Sequence, residues 1–300
     1  MKDLINVLKK HDLRTNSYET RGNCVIIWSN KGKYVLKKKR NSDIFNYLDS
    51  RSFNYYPKYI NDDDYLIMEY LDEQKMPIEQ KMLDLINLVS LLHNKTTYYS
   101  NVDIDEYKKN YEELKGNIEY LRNYYDGLIT NIESKIYMSP SELLLARGIS
   151  IIFSALNYSD YKLDHWYKSV KDKNRRRYVV IHNNLSLDHF IRGKNLYLIS
   201  WDNAKVDLPI YDLYKLYKKY AFDFDFKYLI QKYQKNYPLL EEELNLFYIL
   251  ISIPDKIEFT DNTYNDCVKI ENLIDYLYKT ESIISPENLK DTKQNQNWKY

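Results

Sequence analysis

The sequence predicts an α+β protein in two parts, a small α/β N-terminal portion and a large, mainly helical remainder with a β-hairpin set into it. Short β-rich runs separated by turn residues fill the first 70 residues, whereas from Met76 the apolar residues recur at helical spacing. Strand character then returns once, between Tyr178 and Ile199, inside the helical part. The expected organisation is residues 1–74, residues 75–290 and a polar tail at 291–300, with the cut near Leu71 to Pro77.

The elements follow in order. Met1 to His11 places Leu4, Ile5 and Leu8 on one helical face. Cys24 to Trp28 and Tyr34 to Lys38 are β-rich, and Gly32 between them marks a hairpin. Asn41-Ser42-Asp43 reads as an N-cap before a short helix, and Tyr65 to Tyr70 as a further strand. Long amphipathic helices are expected over 78–93, 104–136 and 139–170, the last started by Ser139-Pro140-Ser141-Glu142, an N-cap with proline in the first turn. Tyr178 to His182 is a strand, and Phe190-Ile191 and Leu196 to Ile199 flank a second hairpin turn. Helices are expected again over 211–221, 226–236, 239–253 and 264–278.

Composition narrows the function classes. The chain has 300 residues, enough for a substantial core, with 44 basic and 43 acidic side chains mixed along it. That balance argues against a dedicated nucleic-acid binder, which needs a concentrated positive face. One basic run, Lys171 to Arg177, reads as a solvated loop, with an anion or acidic-partner contact as the lesser reading. Cys24 and Cys267 stand far apart with no metal-ligand spacing, which fits a reducing compartment. No stretch approaches the length of a membrane span, so a cytoplasmic protein is expected. The five histidines show no zinc pattern. Ser186, His182 and Asp188 lack the strand-to-helix turn of a nucleophile elbow, so their nearness in sequence does not make a triad.

The chemistry-bearing segments lie in a particular order. They are Tyr34-Val35-Leu36-Lys37, Tyr65 to Tyr70, Leu91-Leu92-His93, Ile181 to Ile191, Leu198 to Ala204, and Val206 to Leu213. This order resembles that of the aminoglycoside-phosphotransferase and choline-kinase-like family, whose pattern runs H-G-D-L-x-x-x-N, then I-D-W-E/D-x-A, then P-x-x-D-L. The resemblance covers roughly residues 20 to 220, and ordered motifs are more specific than any one alone. It implies a two-lobed protein-kinase-like fold with ATP as the cofactor. Lys37 then meets phosphates, a role that competes with a solvated basic strand end because Lys38, Lys39 and Arg40 follow it. Lys37's acidic partner is sought on the next helix, where Asp43 is the early acid and fits an N-cap equally well. Glu69 and Tyr70 end the strand whose backbone, by resemblance, meets the base. The wording also resembles CotS-type spore-coat proteins of Gram-positive bacteria.

Residue by residue, the carried-over chemistry is degenerate. Asn184 stands at the catalytic aspartate position, His189 at a metal-ligating asparagine, and Ser200 at the principal metal-binding aspartate. Neutral groups at these places are poor partners for Mg2+, which prefers hard oxygen ligands. His182, Trp201 and Asp212 are retained and are expected to hold the loops and a helix in place. Asp188, Asp202 and His189 are the residues from which a displaced metal site would have to be built. The expected protein is a pseudokinase with a binding or spore-coat assembly role, its partners spore-coat or other proteins. The alternative is an active ATP-dependent small-molecule phosphotransferase using displaced acids.

Overall fold

The computed structural model describes residues 7–22, 24–39 and 43–285. The expected first helix falls within the described residues only at 7–10, which are helical. Asn41 and Ser42 of the expected cap, and the polar tail at 291–300, lie outside them. The described residues divide into two compact units. One draws on Met1–Thr97, Tyr178–Asp207 and Lys232–Tyr237, the other on Tyr98–Arg177, Leu208–Gln231 and Pro238–Tyr300.

The first unit is built on a five-stranded antiparallel sheet. Its strands are β1 (Thr15–Arg21), β2 (Cys24–Ser29), β3 (Gly32–Lys38), β4 (Tyr59–Asn61) and β5 (Tyr65–Glu69), in the order β1-β2-β3-β5-β4. Two of these strands carry no signal in the sequence. β1 is polar and exposed almost throughout, and β4 is three residues long, so neither shows apolar alternation. Alternation elsewhere gives the sheet two distinct faces. Ile27, Leu36 and Ile67 point to one side and pack with Leu8 and Leu13 in a buried cluster. Helices α1 (Asp43–Ser50) and α2 (Ile78–Thr96) complete this part of the unit. After the short β6 (Tyr98–Asn101) of the second unit, the end of β7 (Arg175–Ile181) pairs antiparallel with β10 (Lys205–Asp207), and β8 (Phe190–Arg192) pairs with β9 (Leu196–Leu198) as the expected hairpin. Helix α2 packs on this hairpin and on the single 3-10 turn before it.

The second unit is mainly helical. Helix α3 (Ile104–Glu133) packs along α4 (Pro140–Val170), and α4 also packs against both α7 (Glu241–Ser252) and α8 (Thr263–Ile284). The start of α4 is fixed by a full capping box, the Ser139 hydroxyl accepting from the Glu142 N–H while the Glu142 carboxylate accepts from the Ser139 N–H. The absence of a side chain at Gly148 is what lets α4 approach α8, because a methyl built there would overlap the Ile274 side chain. Helices α5 (Ile210–Tyr220) and α6 (Phe226–Asn236) follow β10. No helix among the described residues is long and apolar enough to cross a membrane.

One expectation is corrected here. The basic run is a solvated loop only over its first four residues, since Arg175, Arg176 and Arg177 form the start of β7. Arg177 is 8% exposed yet satisfied: its Nε donates to Glu243 at 2.9 Å and its terminal nitrogen to the Pro238 carbonyl at 3.0 Å. A charge run reads as solvated only if its partners lie nearby in sequence, and Glu243 is 66 residues away.

Candidate functional site

The side chains of Lys37 and its neighbours are placed by strand register. Lys37 pairs with Cys24 and Leu66, Val35 with Ile26 and Met68, and Lys33 with Trp28. Directly opposed residues share a face, so these side chains line one side of the sheet, opposite to the buried Leu36 cluster. Tyr70 joins them, for the Lys33 ammonium sits 3.4 Å from the centre of its ring and 5.1 Å from that of Trp28. Glu69 does not join them. It pairs with Tyr34 and so starts from the other face, although the pocket it lines with Lys58 and Asp72 also takes in Lys33 and Tyr70. Of the three residues expected at a nucleotide, register therefore puts Lys37 and Tyr70 on one face and Glu69 on the other. The Glu69 and Tyr70 N–H groups are already used, donating to Lys58 at 2.8 Å and Lys33 at 3.1 Å.

Two loops of the same unit carry the remaining residues. The first follows β7. His182 is fully buried, and its Nε2 donates to the Ile199 carbonyl at 2.9 Å, which assigns the proton to that nitrogen. Trp201 is 3% exposed, stands edge-on to His182 at 4.8 Å, and donates its indole N–H to the Leu198 carbonyl at 2.8 Å. Phe45 and Phe53 close against Trp201 on other sides. Backbone groups tie the loops again, the Ile199 N–H donating to the His189 carbonyl at 2.9 Å.

Two residues take the left-handed conformation here. Asn183 has φ 61° and Ser200 φ 67°. Asparagine tolerates this region better than most side chains, which explains how Asn183 fills the glycine position of the H-G-D pattern. Its amide also donates to the Asn203 carbonyl at 2.9 Å. Serine has no such ease, so Ser200 holds its place against a local cost.

Several polar groups of the two loops are spent on each other or on the sheet. His189 donates from Nδ1 to the Asn184 carbonyl at 2.7 Å. The Asn184 side chain is half-buried, and Asp188 is exposed. Asp202 forms an ion pair with Lys37, the two side chains being 21% and 19% exposed. Lys37 thus reaches the loop bearing Ser200, a contact across 165 residues that no local signal announced. The side chain of Asp43, the acid considered on the next helix, lies outside the described residues. Asp212, in the first turn of α5, is fully buried within the second unit, placed favourably for the helix dipole.

This chain resembles, over nearly its whole length, an aminoglycoside phosphotransferase from Alicyclobacillus acidocaldarius subsp. acidocaldarius DSM 446. The match has a TM-score of 0.68 at 10% identity and covers 94% of this chain and 93% of that one. The fold is that of the aminoglycoside phosphotransferases. The AMP-bound complex of spectinomycin phosphotransferase APH(9)-Ia is also similar, with a TM-score of 0.53 at 13% identity, covering 95% of each chain. No protein-family model matches the chain, and no curated protein matches it in sequence. Magnesium is the metal that the resemblance implies, and the donors present can be tested against it. At the three positions the resemblance marks, Asn184, Ser200 and His189 offer an amide, a hydroxyl and an imidazole, a poor set for magnesium, while the acids of these loops are Asp202, paired with Lys37, and the exposed Asp188. Among the described residues no group of three or more His, Cys, Asp or Glu side chains is gathered to hold a metal.

Proposed function

We propose that this protein is a pseudokinase, a phosphotransferase fold that has lost phosphoryl transfer and serves in binding or assembly. The observation that carries the reading is the pairing of Lys37 with Asp202 beside loops whose other key positions are neutral. Phosphoryl transfer needs metal ions held by acids and a group that orients the attacking hydroxyl. Asn184 has no carboxylate with which to accept that proton, and Ser200 brings no charge to a metal. Of the two acids left in these loops, Asp202 already neutralises the lysine and Asp188 is exposed to solvent.

Nucleotide binding is a separate matter from transfer. Lys37, Val35, Ile26 and Tyr70 offer a cation beside an apolar and aromatic surface, which suits a base and its phosphates without requiring a metal. The AMP in spectinomycin phosphotransferase gives the chemical class of ligand to try first. For the biological setting we take a cytoplasmic protein that associates with the spore coat of a Gram-positive bacterium. The wording His182-Asn183-Asn184 and Ser200-Trp201-Asp202 supports this. Fractionation of spores from such a host tests it, and absence of the protein from the coat fraction rejects it.

A second reading is favoured by one feature, the position of Asp202 two residues past Ser200 and against Lys37. In that reading Asp202 leaves the lysine for a metal and the protein is an active small-molecule kinase. An assay of ATP consumption against aminoglycosides and amino alcohols separates the two. The pseudokinase reading expects no transfer above the protein-free rate. Transfer that disappears on Asp202→Ala rejects it.

A further inference from the structure

The basic run that becomes β7 lines a cavity of about 350 Å³ wholly within the second unit. Its floor is apolar and aromatic, with Trp166 2% and Tyr107 3% exposed. Around it stand four cationic side chains, those of Lys173, Arg175, Arg176 and Arg177, against the two carboxylates of Glu242 and Glu243. Three of the cations are matched. Arg177 is held by Glu243, Lys173 meets Glu242 at 2.7 Å, and Arg176 meets Glu106 at 2.8 Å. Arg175 has no carboxylate partner among the described residues. It is exposed, and its guanidinium lies 5.8 Å from the ring centre of Tyr99, itself half-exposed and part of the lining.

The geometry points to a second ligand site, one that takes a small organic anion with a flat apolar body, such as an aromatic carboxylate or phosphomonoester. The volume falls in the range of small-molecule pockets, which are mainly apolar with a few placed polar groups. A planar guanidinium with unused donors binds an oxyanion through two hydrogen bonds, and the excess of cations disfavours a cationic ligand. The ring of the ligand would then lie beside the half-exposed Tyr99, above the buried Trp166 and Tyr107, with its charged end at Arg175. This site is independent of Lys37 and of any reading of the kinase-like loops.

Ligand-observed NMR on the full chain tests it, with phenylacetate and phenyl phosphate as probes and benzyl alcohol and benzylamine as matched controls. Both anions are expected to bind saturably, and Arg175→Gln, a change at an exposed side chain, to weaken them about tenfold. Which anion binds more tightly assigns the head group as carboxylate or phosphate. The proposal is overturned by no saturable binding of either anion up to about 10 mM, or by controls that bind equally well. Binding insensitive to Arg175→Gln overturns it too, as does tighter binding of a tetraglutamate peptide, which would make the surface a docking site for an acidic chain.

Discussion

At the scale of single residues, the Lys37–Asp202 pair decides how the site is read. With each side chain about one-fifth exposed, the pair is neither a screened surface contact nor a fully desolvated one. A double-mutant cycle of Lys37→Met and Asp202→Asn, followed by urea unfolding, should give a coupling of about 1–2 kcal/mol, between the values usual for exposed and buried pairs. A coupling near zero would mean that the two groups do not hold each other and that Lys37 is free for another anion. Single residues also show what sequence reading can reach. Asn184, His189 and Ser200 could be singled out because the segments around them follow the order of a recognisable pattern. The partner of Lys37 is not visible, since a long-range ion pair leaves no periodicity, and the orientation of Glu69 emerges only once the register of β5 against β3 is known.

Among the elements, helix α4 gathers the second unit, packing on α3, α7 and α8. Its contact with α8 depends on Gly148. Alanine there improves helix propensity by up to about 1 kcal/mol, but crowding against Ile274 should cost about 1–3 kcal/mol, so the variant is expected to be less stable than wild type. Adding Ile274→Ala should recover part of the loss, and a double variant that is simply additive in thermal unfolding would contradict the crowding.

The start of α4 depends on charge. The Lys135 ammonium, together with the Ser139 N–H, holds the Glu142 carboxyl below its usual range. A depressed carboxyl stabilises the fold above the ordinary carboxylate pKa and loses that effect as pH falls through its lowered value. The stability difference between wild type and Glu142→Gln should therefore be full at neutral pH and shrink in acid below about pH 4. A difference that is constant across that range would show that the carboxylate is not what the cap depends on.

The elements also mark where sequence signals end. Long helices announce themselves by period and caps, and α4 starts within one residue of its expected place. Short or polar strands such as β4 and β1 do not, because their pairing, and not their composition, makes them strands. The arginines of β7 were misplaced for the same reason: burial of Arg177 becomes affordable only with Glu243 against it.

For the whole molecule, the order of segments from Lys37 to Asp212 specifies the fold even though identity to the similar solved structures is 10% and 13%. The fold rests on apolar alternation, on the buried His182–Trp201 contact and on the hairpin turn, none of which depends on which charged side chains the loops carry. Among the described residues no cluster of three or more metal-ligating side chains is gathered, and the pseudokinase proposed above follows from reading the loops with Asp202 held by Lys37. The central claim is thus about magnesium. Thermal unfolding of one protein sample with ATP alone, and with ATP plus magnesium, tests it directly. The account predicts that magnesium adds nothing to whatever stabilisation ATP gives. A clearly larger shift with magnesium, abolished by Asp202→Ala, would contradict it and return the protein to the active kinases.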